Sequence, residues 1–157
     1  MGTEQRLFPE GTDSAGKFIS AIYRHLQIII AAELEPFRIG SGQFIFLLTI
    51  AEKEGMTQKA LSEELLIDKT TTAKAISKLE REGYVRRTPS PNDQRFNELY
   101  LSAEGKKIVP LVKQRLMKLV EMSRKGMSAE EYALLLRLLK KMLNNLCYIV
   151  QKGDHKS

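Results

Sequence analysis

The stretch from Thr57 to Gly105, TQKALSEELLIDKTTTAKAISKLEREGYVRRTPSPNDQRFNELYLSAEG, holds two short helical patterns and then two strand-like runs around a polar tip. Thr57 and Asp68 carry side-chain oxygens that can accept from the unpaired N–H groups of a first helical turn, so each predicts a helix start. After Thr57, Ala60, Leu61 and Leu65 form an apolar face; after Asp68, Thr72, Ala75, Ile76 and Leu79 form a second. Spacings of three and four are helical. The opposite face of the second helix presents Thr70, Ala73, Lys74, Ser77 and Arg81, which is small, polar and cationic. A helix entering a major groove needs a slim surface of this kind, with hydroxyls and cations for base edges and phosphates and a methyl for thymine.

Gly83 suits the left-handed position just past a helix end. From Tyr84 to Thr88 the chain alternates, with Val85 inward and Arg86 outward, and Asn97 to Leu101 alternates again with Leu99 and Leu101 on one side. Two strands are expected. Between them Pro89, Ser90, Pro91, Asn92 and Asp93 rule out a continuing helix, and Arg95 follows as a cation at the tip. The weakly hydrated guanidinium suits a narrow minor groove, whose negative potential draws it in. Asp93 either orients that arginine or shapes the turn. The pattern is that of a mainly α chain with a small β-wing, a winged helix-turn-helix.

These residues resemble the MarR-type transcription regulators of bacteria and archaea. Gly55 to Leu65 resembles that family's first helix-turn-helix helix, Asp68 to Lys74 the start of its recognition helix, and Leu79 to Val85 its exit into the wing. Asp93-Gln94-Arg95 matches the wing's Asp-x-Arg, and Leu101-Ser102-Ala103-Glu104-Gly105 the Leu-Thr-x-x-Gly that opens the next helix. The resemblance implies DNA contacts from Thr57, Gln58, Lys69, Thr70, Thr71, Ala73, Lys74, Ser77, Lys78, Arg86, Asp93 and Arg95. Four positions depart from the pattern. Leu66 stands where glycine or another small residue is frequent, which predicts a tighter-packed or differently shaped turn. Thr72 replaces a common valine, so its hydroxyl, if buried, must bond back to its own helix. Ala73 replaces a frequent hydroxyl residue and Ser90 a common aspartate.

Outward from the winged unit the ends are apolar. Asp13 or Ser14 can start a helix through Phe18, Ile19, Ile22, Leu26, Ile29, Ile30 and Leu34, until Pro36 disfavours continuation. Ser128 to Glu131 reads as a capping box that opens a last helix rich in Leu134, Leu135, Leu138, Leu139, Met142, Leu143, Leu146 and Ile149. Stripes this wide call for a partner surface. In the resembled family such helices interleave into a homodimer. Gly40 to Glu54 is expected to form a joining helix, and Lys106 to Lys125 a long return helix with Pro110 in its early turns or at a bend. The organisation expected is a single subunit over 1–157. It has a flexible segment at 1–13, dimerisation helices at 14–39 and 106–152, and the winged unit at 40–105.

A net charge of +6 favours a polyanionic partner. The surplus is not concentrated in the winged unit, where Glu63, Glu64, Asp68, Glu80 and Glu82 offset many cations; Lys106, Lys107, Lys113, Arg115, Lys118, Arg124 and Lys125 carry much of it. Cys147 is the only cysteine, which excludes an intrachain disulfide, and its apolar neighbours mark it as a packing residue. His25 lies among apolar residues at helical spacing and reads as packed or at a dimer edge, and His155 lies in a polar tail. Neither belongs to a metal-ligand or nucleophile motif, so no enzyme activity, metal or cofactor is expected. No stretch approaches the about 20 apolar residues of a membrane span, and a cytoplasmic location is expected. The resemblance further implies an operator that is an inverted repeat in double-stranded DNA, a repressor's role, and a small aromatic or phenolic effector. Tyr23, Arg24, His25, Phe37, Arg38 and Phe44 are the side chains near the relevant junction that can stack on a ring or pair with a carboxylate. The alternative from another class is a winged-helix module that docks protein without sequence-specific DNA binding.

Overall fold

The computed structural model describes residues 14–153; the expectations for segment 1–13, for Asp13 as a helix cap and for His155 lie outside them. Ser14 caps α1 (Ala15–Leu34), its Oγ accepting from the Lys17 N–H. Pro36 ends that helix as its missing N–H demands. The chain tightens into a 3-10 turn, Glu35–Phe37, closed by Arg38 at φ 57°. This left-handed conformation costs a residue with a Cβ about 1–2 kcal/mol. Two contacts hold it in place. Arg38 Nε lies 3.2 Å from Glu82 Oε2, and the Tyr84 hydroxyl donates to the Phe37 carbonyl at 2.9 Å. Partial burial raises the Tyr84 pKa, so the hydroxyl stays a donor.

The joining helix α2 spans only Phe44–Glu52, shorter than the expected Gly40 to Glu54. Glycines at 40 and 42 disfavour helix, and the Gly40 N–H donates instead to Gln43 Oε1 at 2.9 Å. At the other end the Gly55 N–H is drawn to the Leu99 carbonyl at 2.9 Å. That bond leads into β1 (Met56–Thr57), a strand of two residues that the sequence pattern did not announce. The sheet is therefore three-stranded and antiparallel, in the order β1-β3-β2, with Met56 opposite Leu99. Strand β3 (Asn97–Leu101) lies where expected; β2 (Val85–Pro89) starts one residue later than expected and pairs Val85 with Leu101 and Arg87 with Leu99.

Both predicted caps form. Thr57 Oγ1 accepts from the Ala60 N–H at the start of α3 (Gln58–Leu65), and Asp68 Oδ1 from the Thr71 N–H at the start of α4 (Lys69–Arg81). Between the helices Leu66 takes φ 55° and is exposed, so the turn keeps the left-handed geometry glycine would favour and is not more tightly packed. Thr72 is fully buried, and its hydroxyl bonds back to the Asp68 carbonyl at 2.9 Å as expected. Gly83 (φ 82°) ends α4 with paired closing bonds, Gly83 N–H to Glu80 O and Tyr84 N–H to Leu79 O.

The core of the winged unit gathers Phe46, Leu47, Ile50, Leu61, Ile76, Leu79 and Leu99, all essentially without solvent exposure. Each such side chain contributes about 1.5–3 kcal/mol when fully buried. A surface ion pair such as Lys53–Glu64 contributes about 0–1 kcal/mol, so apolar packing sets the shape.

Helix α5 (Ala103–Ser123) begins three residues before the expected Lys106, because Ser102 acts as its cap: Oγ accepts from the Gly105 N–H at 2.9 Å while donating to the Gly83 carbonyl. Gly105 is wedged here, since a Cβ would sit 2.1 Å from the Tyr84 carbonyl oxygen. Pro110 lies in the second turn. Residues through Leu116 form one compact unit and those from Met117 a second. In the second, Gly126 (φ 87°) turns the chain and α6 (Ala129–Gly153) opens with both bonds of the capping box, Glu131 N–H to Ser128 Oγ and Ser128 N–H to Glu131 Oε2. Arg124 stacks over the Tyr132 ring. Cys147 is half-buried. In the isolated chain Ile22 and Ile28 of α1 and Leu138, Leu146 and Ile149 of α6 are more than half exposed. Among the described residues no helix is long and apolar enough to cross a membrane.

Candidate nucleic-acid interface

Two features of the winged unit face outward together, the polar side of α4 and the hairpin. On α4, Lys69, Thr70, Lys74 and Ser77 are exposed, while Ala73 and Lys78 are half-buried at the margins of the face. Burial of Thr72, Ala75, Ile76 and Leu79 on the far side forces this orientation. Thr71 differs in kind: its hydroxyl donates to Asp68 Oδ2 at 2.6 Å, which makes it part of the cap. That bond, with the Thr71 N–H, holds the Asp68 carboxyl below its usual pKa.

At the hairpin, Arg95 and Asp93 form a forked pair. Arg95 Nε lies 3.0 Å from Asp93 Oδ1 and its terminal amino group 2.7 Å from Oδ2, while the Arg95 backbone N–H also donates to Oδ1. Asp93 thus both shapes the turn and orients the arginine. Arg95 remains 84% exposed, ready to meet an anion or an acceptor-lined groove. Its hydrogen bonds keep the Asp93 carboxyl ionised to lower pH than an isolated aspartate. Below the tip, Ser90 is buried and donates to Glu98 Oε1 at 2.7 Å, and Tyr100 donates to Glu98 Oε2 at 2.7 Å. These donors depress the Glu98 pKa. Arg86 points outward as expected, its guanidinium 5.0 Å above the Tyr100 ring and bonded to Thr88 Oγ1.

Thr57 and Gln58, at the start of α3, share with the hairpin a cleft of about 230 Å³ whose walls include Lys59, Arg87, Arg95 and Phe96. Arg87 and Lys59 were not among the residues singled out from the sequence. The signal for Arg87 lay in the strand alternation: with Val85 inward, Arg87 falls on the same side of the strand, toward α4, although it is itself exposed at the edge of that face. Glu80 of α4 is its partner, with Oε2 3.2 Å from Arg87 Nε.

The six residues expected near an effector are not gathered in one place. Tyr23, Arg24 and His25 are exposed on α1, and His25 Nδ1 lies 2.8 Å from the Ala21 carbonyl rather than packed in a core. Phe37 on the 3-10 turn and Arg38 at its close follow about 18–23 Å further along at 1.5 Å per helical residue. There Arg115 covers the Phe37 ring at 5.4 Å and bonds Glu33. Phe44 is half-buried at the start of α2.

Comparison with known proteins agrees with this architecture. Residues 39–96 match the model of the MarR family. The chain is 30% identical over 141 residues to the uncharacterized HTH-type transcriptional regulator YybA of Bacillus subtilis, covering 88% of this chain and 94% of that protein. It resembles the crystal structure of a MarR transcriptional regulator from Methanosarcina mazei Go1, at 39% identity and TM-score 0.78 over 85% of this chain and 96% of that one. It also resembles a putative MarR family transcriptional regulator from Listeria monocytogenes complexed with 26mer DNA, at 29% identity and TM-score 0.82 over 90% and 96% of the two chains. The chain belongs to the MarR family of transcriptional regulators.

Proposed function

We propose that this member of the MarR family is a cytoplasmic repressor that binds an inverted-repeat operator in double-stranded DNA as a homodimer and releases it when a small ligand binds. The observation that carries the reading is the pairing of two recognition surfaces. An exposed face of hydroxyls, a methyl and cations on α4 suits base edges in a major groove, and the Asp93-oriented Arg95 suits the minor groove beside it. The relative complexed with DNA supports the same partner. Thr57, Gln58, Lys69, Thr70, Ala73, Lys74, Ser77, Lys78, Arg86 and Arg95 are the contacts we propose, with Thr71 and Asp93 acting as orienting residues.

The apolar faces of α1 and α6 support a homodimer built from helices 14–39 and 106–152, because burying them gains about 25 cal/mol per Å². The effector we propose is a small aromatic or phenolic acid. Its contacts would come from Tyr23, Arg24, His25, Phe37, Arg38 and Phe44, brought together in the dimer. The test is selection of duplexes from a random pool with the purified protein, followed by titration over a range of salt. The expected product is an inverted repeat with half-site centres about one helical turn apart. Lys74→Ala should weaken binding across sequences and lower the salt slope by about one. A pool that yields no preferred sequence overturns this reading.

A further inference from the structure

We propose that the cleft between the first turn of α3 and the hairpin seats one backbone phosphate of the bound duplex, with Arg87 as its donor and Glu80 as the residue that positions Arg87. The proposal rests on the DNA-binding reading above.

The major and minor grooves of a duplex are separated by a phosphate backbone. A protein that places α4 in one and Arg95 in the other must straddle that strand. The cleft lies between the first turn of α3 and the hairpin that carries Arg95, and α4 reaches its wall through the Glu80–Arg87 pair; its cations are Lys59 from α3, Arg87 from β2 and Arg95 from the tip. Guanidinium donors fan out in a plane suited to a tetrahedral oxyanion. Glu80 Oε2 lies 3.2 Å from Arg87 Nε, the inner nitrogen of the guanidinium, and a phosphate would meet the two terminal amino groups beyond it. Arg87 is also the least exposed of the three cations. Its side chain is 34% exposed, against 71% for Lys59 and 84% for Arg95. An arginine fixed in advance loses less freedom on binding than a free surface lysine. Because Glu80 stands on α4 and Arg87 on the hairpin, the pair sets the distance between helix and wing at the height where the strand would pass.

The experiment is a methylphosphonate scan of the selected operator, which neutralises one phosphate at a time, on the wild type, Arg87→Ala and Glu80→Gln. In the wild type one position per half-site should cost about tenfold in affinity, the loss of a charge-assisted hydrogen bond. In Arg87→Ala the penalty at that position alone should fall below about twofold, and the salt slope should drop by about 0.9 per half-site. Glu80→Gln should give an intermediate penalty there, with the other positions unmoved. A merely structural role for Glu80 would lower all of them alike. Thermal melts check the fold, and Arg87→Gln carries the same comparison where the alanine variant melts early. A wild-type scan profile in Arg87→Ala or Arg87→Gln overturns the proposal while leaving DNA binding intact. A wild type that retains no duplex overturns the DNA reading itself, and the proposal with it.

Discussion

Asp93 holds Arg95 by three side-chain hydrogen bonds of 2.7–3.2 Å at the tip of the wing, so the arginine is oriented before it meets any partner. Arg95→Ala should therefore cost about 1–3 kcal/mol of operator binding. A tip side chain supports no core, so the melting temperature should stay within experimental error. Arg95→Lys should restore little, because ammonium is more strongly hydrated. Asp93→Ala should lose less than Arg95→Ala. Titration against operators with A·T or G·C pairs under the wing decides it, and equal affinity of wild type and Arg95→Ala on both would make the wing purely structural.

Gly105 and Gly16 should answer alanine with opposite signs. At Gly105 the new Cβ meets the Tyr84 carbonyl, which is itself pinned by the Ser102 N–H at 2.9 Å, so overpacking should cost about 1–3 kcal/mol. At Gly16 in α1 nothing lies within 4 Å, and reduced freedom of the unfolded chain should gain about 0.4–1 kcal/mol. Urea denaturation of both variants measures the two effects.

Thr72→Val should leave stability within about 1 kcal/mol of wild type or raise it. The Asp68 carbonyl that accepts the Thr72 hydroxyl also accepts the Thr72 backbone N–H at 3.0 Å, so removing the hydroxyl orphans nothing. A loss above that range in chemical denaturation would mean the hydroxyl has a role beyond its own helix.

Truncation before Ala129 removes α6 and, on the dimer reading, the apolar face that it contributes to the interface. Light scattering should show aggregation or far-ultraviolet dichroism an unfolded chain. A soluble, folded monomer would count against the dimer.

Asp68, Asp93 and Glu98 all titrate below their ordinary range, each chiefly through a side-chain hydrogen bond to the carboxylate. A depressed folded-state pKa contributes stability above the unfolded value and loses it as pH falls through the folded one. The melting temperature should thus be insensitive to these groups from pH 5 to 8 and fall below about pH 4. Glu98→Gln should remove part of that acid-dependent fall in a pH series of melts.

Much of this structure could be read from local patterns, and the parts that could not are nonlocal. Capping oxygens at Thr57, Asp68 and Ser128 mark helix starts because they act within one turn. The back-bonding of Thr72 followed from burial plus a hydroxyl. By contrast, β1 is too short to carry alternation and exists only because Leu99 lies opposite Met56. The partner of Arg87 stands on another element, so strand alternation gives the side of the strand without naming Glu80. The glycine at 105 matched a family pattern, but its cause is a carbonyl 21 residues earlier in the chain. The six proposed effector contacts are the least legible, since Tyr23 lies on α1 and Phe37 on the 3-10 turn beyond its end, and on our reading it is a second subunit that closes the gap.

The bonds from Phe37 to Tyr84 and from Arg38 to Glu82 give the molecule a mechanical property. They fasten the root of α1 to the trailing end of α4, and α1 is a rod about 30 Å long at 1.5 Å per residue. A displacement of about 2–3 Å at the free end of such a rod corresponds to a tilt of roughly 5° at its root. Tilting α1 by that much would strain these two bonds first, since they tie the chain just past its end to the close of α4.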